Sequence, residues 1–321
     1  MWARVTERRQ EDMEKAIPLA LLASVFTATS SVCQRLGAKE SQPSGLDVWL
    51  VFRLARRPVW LLGIASMILG FVFQVTALHF GALALVQPIL ALELLFVFGY
   101  MAFLGSRTVR RRDWLAAAAM CAGLGLFLFA ASPRGGRQHA PPSLWLLAGL
   151  LTLGVVLAGL AVAFGLQHRA PRSEPQRAAI LGAVTGISWG FVAAVIKEFS
   201  YHLGGGLSGI FTNWSVYVLI GAGAASLLLA SHALTAGPLA ASQPGFTILD
   251  PLAASLLGLF LFGEHFQDAT QDLALEALAL ALLVAGVTAL SHSHLIVGED
   301  GAKPVSETTD ARAIRERPST G

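Results

Sequence analysis

ALHFGALALVQP, residues 77–88, is written again 156 positions later as ALTAGPLAASQP, residues 233–244. At that offset Ala77, Leu78, Gly81, Leu83, Ala84, Gln87 and Pro88 match Ala233, Leu234, Gly237, Leu239, Ala240, Gln243 and Pro244. Leu and Ala coincide cheaply in any apolar chain, whereas the Gly and the Gln-Pro pair do not, so the two stretches predict a duplicated unit. The correspondence continues outward with small shifts of register. AIPLA at 16–20 meets AILGA at 179–183, Phe26 meets Trp189, Gln34 meets Lys197, Leu104-Gly105 meets Phe262-Gly263, and Ala122-Gly123 meets Ala285-Gly286.

Both copies sit in long apolar runs. Of the 321 residues, 55% are hydrophobic and 13% charged, and the mean hydropathy is +0.62. A soluble globular chain carries about twice that share of charge, so lipid is the expected solvent and the bilayer the first partner. About 20 mostly apolar residues suffice to cross a bilayer core as a helix. Such runs fall at 16–38, 58–80, 82–104, 114–132, 144–166, 178–200, 213–232, 235–262 and 273–292, which predicts an all-α polytopic protein of about nine transmembrane helices. A barrel is excluded, because its strands alternate over about 10 residues and these runs do not.

The domain plan follows. A polar N-terminal segment, 1–15, precedes a first repeat at 16–132, and a connecting helix at 144–166 leads to a second repeat at 178–293. The polar, mixed-charge tail at 296–321 is expected to be disordered. One crossing between two four-helix units turns the second upside down, and inverted repeats of this kind belong to transporters that bind substrate near the midplane. Lys and Arg in short loops set orientation. With the N-terminus outside, inner segments hold 15 of the 23 basic residues and outer segments 6, which favours a cytoplasmic C-terminus. The acidic loop GEHFQDATQD, 263–272, then lies outside.

Cys33 and Cys121 both lie in apolar runs, which offers no disulfide framework or zinc spacing and reads as small packing residues. GISWG, 186–190, fits a hydrolase nucleophile pattern but lacks its strand-turn-helix setting. Gly182, Gly186 and Gly190 read better as a small-residue ridge that lets another helix approach. His292 and His294 are two apart and do not face each other on a helix. No phosphate loop, dinucleotide fingerprint or His-Glu-x-x-His motif occurs, so no cofactor, enzymatic activity or nucleic-acid partner is expected.

GFVFQVTALHFGALALVQPILALELLF, 70–96, and GSRTVRRRDWLAAAAMCAGLGLFLF, 105–129, resemble the drug/metabolite transporter superfamily in its EamA-like form. An "Ala-Leu … Gly … Pro" helix pair, a charged loop and a Gly-rich helix recur there in each half. The Val-Gln-Pro run and nine rather than ten helices look most like the branch with the NIPA-type magnesium transporters and their bacterial relatives. The resemblance covers about residues 16 to 293 and implies secondary transport, with substrates ranging from metal ions to amino acids and nucleotide sugars. One departure is that the second helix of each half is reduced to LDVWLVFRL, 46–54, and GGLSGIF, 205–211, which read as interfacial or re-entrant pieces.

Charge in the membrane core costs several kcal/mol and points to function. Glu93 and Asp250 qualify: both lie near the middle of their runs and are repeat mates if one inserted residue is allowed. Paired carboxylates suit either a hard divalent cation, for which both are candidate ligands, or a shared proton. Pro251 predicts an unwound turn beside Asp250. Gln87 and Gln243 bring buried donors and acceptors next to kinks at Pro88 and Pro244, and Asp250 falls on nearly the same face as Gln243. Gln34 and Lys197 are mates near helix ends and candidate pathway residues, with Lys197 expected to snorkel and an ion pair as the alternative. Gln74, Trp189 and Asn213 are candidate cavity residues, and Glu276 is expected at the outer interface. The expected substrate is a small solute or a cation, magnesium among them. A metabolite or drug exporter, a scaffold or a membrane-embedded enzyme are the alternatives, and a homodimer is left open.

Overall fold

The computed structural model describes residues 2–39, 57–104, 110–130, 134–169, 174–203, 211–236, 239–265 and 273–291. These form ten helices: α1 Trp2–Lys39, α2 Pro58–Phe80, α3 Leu83–Leu90, α4 Glu93–Leu104, α5 Arg111–Ala130, α6 Pro142–Arg169, α7 Glu174–His202, α8 Trp214–Thr235, α9 Leu239–Phe262 and α10 Leu273–Ser291. The β content among the described residues is one two-residue antiparallel bridge, β1 Arg134–Gly135 against β2 Glu264–His265.

Seven stretches are long and apolar enough to cross a membrane, which makes this a multi-pass membrane protein: Glu14–Gln34, Pro58–Phe80, Leu83–Leu104, Pro142–Leu166, Glu174–His202, Trp214–Ala233 and Gly245–Phe262. The other two expected spans, 114–132 and 273–292, fall on α5 and α10. α5 opens on Arg111, Arg112 and Asp113, and α10 carries the apolar described stretch Ala277–Ala289. The face that meets lipid is written on α6, where Leu146, Leu150 and Leu157 are 66%, 59% and 56% exposed. Water would penalise such a surface, whereas hydrocarbon does not.

Small residues decide which helices touch. α1 packs along α2, where a Cβ on Gly70 would stand 2.9 Å from Thr27 Oγ1 and one on Gly63 would stand 3.2 Å from Cys33 Cβ. α7 packs along α9 through Gly182, Gly186 and Gly190, whose missing side chains leave room for the α9 backbone at Ser242, Gly245, Asp250 and Ala254. α5 and α10 meet through a reciprocal pair: Gly123 lies on the backbone of Leu282 and Leu283, and Gly286 on that of Met120 and Ala116. Across the same faces, α3 packs on α9 and α2 on α7, which joins the two halves.

The stretch that opened the sequence reading is the centre of the molecule. Every residue from 81 to 89 is buried, and Leu78, Leu83, Val86 and Ile89 share one core cluster with Val195, Leu261, Phe262 and Met120. Gly81 is required there because a Cβ would stand 2.7 Å from Ala16 Cβ.

Several expectations are corrected by the backbone. The 82–104 run is two helices, α3 and α4, separated by a turn at Ala91 and Leu92. α9 by contrast runs unbroken through Pro251, so no unwound turn lies beside Asp250. The local break stands beside Glu93, where Pro88 removes an amide donor three residues before the turn. The polar segment 1–15 is helical from Trp2 onward, continuous with α1. The 46–54 piece, the 205–210 part of its mate, His292, His294 and the 296–321 tail lie outside the described residues.

Candidate functional site

The turn at 91–92 places Glu93 in the first turn of α4. Its Oε1 accepts a 2.9 Å hydrogen bond from Ser31 Oγ of α1, while Tyr100, two turns on, hydrogen-bonds Thr29 of α1 at 2.9 Å. Asp250 reaches toward the same region from α9, close enough to Glu93 for the two carboxylates to interact electrostatically. Its backbone is held by the glycine ridge: a Cβ on Gly186 would meet Asp250 N at 3.1 Å and one on Gly190 would meet Asp250 O at 2.9 Å. Yet Asp250 Oδ1 is buried with no hydrogen-bond partner among the described residues, and Gln87 Nε2 is in the same position. A buried polar atom left unpaired costs about 1–3 kcal/mol. The two atoms lie on α3 and α9, helices that pack together.

A cavity of about 200 Å³ lies behind these groups, lined by Pro88, Ala91, Thr247, Pro251, Ser255 and a series of leucines and valines from α9 and α10. Its wall is nearly all apolar. The carboxylates are not part of it, although both prolines are.

Other expected residues lie elsewhere. Gln34 donates from Nε2 to Ser30 Oγ at 2.8 Å, a local bond within α1. Gln74 is half-buried on α2, and Trp189 packs against the central core. Asn213 is corrected from cavity residue to helix cap: its side chain accepts from Ser215 N at 2.8 Å and starts α8. The side chains of Gln243, Pro244 and Glu276 lie outside the described residues. Cys33 is half-buried beside Gly63, while Cys121 is exposed rather than a packing residue.

Lys197 is the largest correction, because it does not snorkel. It is 2% exposed, pairs with Glu264 Oε1 at 2.5 Å and donates to Gly81 O at 3.2 Å. Its ammonium also stands 4.9 Å from the Phe262 ring centre, a favourable cation–π distance. Glu264, expected in an acidic loop on the outer side of the membrane, is buried and caps α3, accepting from Leu83 N at 2.6 Å and Ala84 N at 2.9 Å. A carboxylate at a helix N-terminus satisfies orphan amides and meets the positive end of the helix dipole. Gly258 leaves room for that carboxylate on α9, and Gly136, at φ 88°, turns the chain where a Cβ would stand 2.9 Å from Glu264 Cγ. Around the pair, Arg137 N donates to Phe262 O at 2.7 Å, Gln138 Nε2 to His79 O at 2.8 Å, and His79 Nδ1 lies 3.2 Å from Ser200 O. One end of the bundle is therefore tied across both halves.

Glu264 was missed because its neighbours in sequence are those of a surface loop. The available signal was its position directly after Gly263, the mate of the Gly that ends the first-half helix.

No protein-family model matches the chain, and no solved structure matches it. It is 28% identical over 281 residues to an uncharacterised protein of Corynebacterium glutamicum, which spans 87% of this chain and 95% of that one.

Proposed function

We propose that this protein is a secondary transporter that moves a small solute or cation across the cytoplasmic membrane by alternating access, with magnesium or another divalent cation as the first candidate substrate. The observation that carries this reading is the buried, unpartnered Asp250 Oδ1, brought within electrostatic reach of Glu93. Carboxylate oxygens are ligands a hard divalent cation takes, and paired acids otherwise destabilise each other.

The α5–α10 contact supports inverted repeats. An offset of 163 exchanges Gly123 with Gly286 and Met120 with Leu283, so the contact of Gly123 with Leu283 and that of Gly286 with Met120 are the same contact seen from each half. As position rises on α5 its partner falls on α10, so the helices run antiparallel. A two-fold axis across them turns one half over to match the other. The sequence resemblance to EamA-like transporters agrees with such a plan. The basic loops favour an external N-terminus and a cytoplasmic C-terminus, and the end tied by Lys197 and Glu264 is then the closed outer gate.

Reconstituted into proteoliposomes, the chain is expected to carry saturable magnesium flux that Asp250→Asn abolishes. Flux that is absent for divalent cations but present for an apolar metabolite or drug turns the reading to the second candidate, an exporter of the same superfamily, which the apolar cavity at Pro88 and Pro251 favours. No flux of any solute, with function in the cell intact in Asp250→Asn and Glu93→Gln, sinks transport altogether.

A further inference from the structure

The tied end of the bundle holds a second buried carboxylate with different neighbours. Glu198 follows Lys197 on α7 and is fully buried. Its Oε2 accepts from Ala140 N and from Trp145 Nε1, each at 3.2 Å. These two donors fix the carboxylate plane and leave Oε1 facing two imidazoles. His139 Nδ1, from the segment between β1 and α6, touches Oε1. His202 Nε2 lies 3.6 Å from it, one helical turn beyond Glu198 on the same face. The three ligand atoms are within 4.8 Å of one another.

A hydrogen bond to Glu198 accounts for His139 but not for His202. A separation of 3.6 Å is too long for such a bond, and His202 Nε2 is buried with no hydrogen-bond partner among the described residues. Two ligands of a tetrahedral ion with bonds of about 2.0–2.1 Å stand about 3.3 Å apart, close to the separation of His202 and Glu198. Ligating carboxylates are characteristically held by outer hydrogen bonds, which is the role Ala140 N and Trp145 Nε1 fill. The His139 ring stacks on Tyr201 at 5.6 Å, and its side chain is 45% exposed, so water and an incoming ion reach the site from that side. Two imidazole nitrogens and one carboxylate oxygen suit an ion of the zinc type and not magnesium, which prefers oxygen ligands throughout.

We infer that His139, Glu198 and His202 form a site for a borderline divalent transition-metal ion, zinc in the first instance, with its fourth position open to solvent. The ion clamps the segment before α6 to the last turn of α7. The site lies at the tied end and not at Asp250 and Glu93, and its occupancy is read by binding alone, so it stands or falls separately from transport.

The test uses the full chain purified in detergent, with any affinity tag removed and metals stripped by chelator. Titration with zinc by calorimetry should give one ion per chain, undisturbed by excess magnesium, and cobalt should give the visible absorption of a four-coordinate site. His139→Gln and His202→Gln should each weaken zinc by about tenfold or more. Trp145→Phe, which keeps the ring and removes the donor to Glu198, should weaken it by about tenfold. His139 is partly exposed, so its substitution leaves the fold intact. Absence of saturable zinc binding by the unaltered chain overturns the inference, as does stoichiometric zinc binding whose affinity and cobalt spectrum are unchanged in both histidine variants.

Discussion

Two sets of buried polar groups lie along this bundle, and they are treated in opposite ways. At the tied end, Lys197 and Glu264 satisfy each other and three backbone groups, the Gly81 carbonyl and the Leu83 and Ala84 amides. Asp250 Oδ1 and Gln87 Nε2 are buried without hydrogen-bond partners among the described residues. The first arrangement is what a structure needs to hold charge out of water. The second is a standing cost, and a fold retains such a cost where a ligand or proton removes it. Under the proposed function, the comparison separates polar residues that hold the protein together from those that act.

The largest effect expected from breaking this contrast is on flux. Asp250→Asn should bring proteoliposome transport to background while leaving the unfolding temperature of the detergent-solubilised protein unchanged or raised. A steep loss of stability instead would make Asp250 a structural acid. At the tied end the outcome should reverse. Lys197→Met leaves Glu264 buried without its cation and should cost about 3–5 kcal/mol, measured by denaturant unfolding in detergent. A loss within error would mean that the pair is not desolvated.

Smaller effects sharpen the picture. Gly186→Leu forces α7 away from the α9 backbone beside Asp250. It should cost about 1–3 kcal/mol by overpacking and reduce flux along with stability. Gln87→Leu removes an orphan buried donor and should raise stability by about 1 kcal/mol or more while impairing flux, a combination that a purely structural glutamine does not produce. The smallest change is at Gly154 on α6, where a Cβ would meet nothing within 4 Å. Gly154→Ala should stabilise the helix by about 0.5–1 kcal/mol with flux untouched.

The two halves also differ in the local structure of their matching stretches. Gln87 and Gln243 are mates, yet the first half breaks into α3 and α4 after its Gln-Pro pair, and the second continues as α9. The first half uses Gly63 and Gly70 to close α1 on α2, whereas the second uses Gly182, Gly186 and Gly190 to close α7 on α9. The reciprocal glycines of α5 and α10 are the contact that the proposed repeats share. Matching stretches of sequence therefore fold here without equivalent local geometry. The turn beside Glu93 in the first half has no counterpart beside Asp250.

Hydropathy is additive along the chain, so the sequence alone determined that the protein is helical and lives in lipid, and it placed most helices to within a few residues. It also singled out Asp250 and Glu93, because a carboxylate in the middle of an apolar run stands out without any knowledge of contacts. Only the tertiary structure decided what each polar group meets. Lys197 read as a snorkelling cation and Glu264 as a loop acid, but helix packing carries them to each other across 67 residues, and carries Glu264 to the Leu83 amide across 181. His139, Glu198 and His202 were silent for the same reason. Side-chain chemistry at a site is set by which helix faces meet, and that depends on the fit of small and large residues between helices, a property no single segment contains.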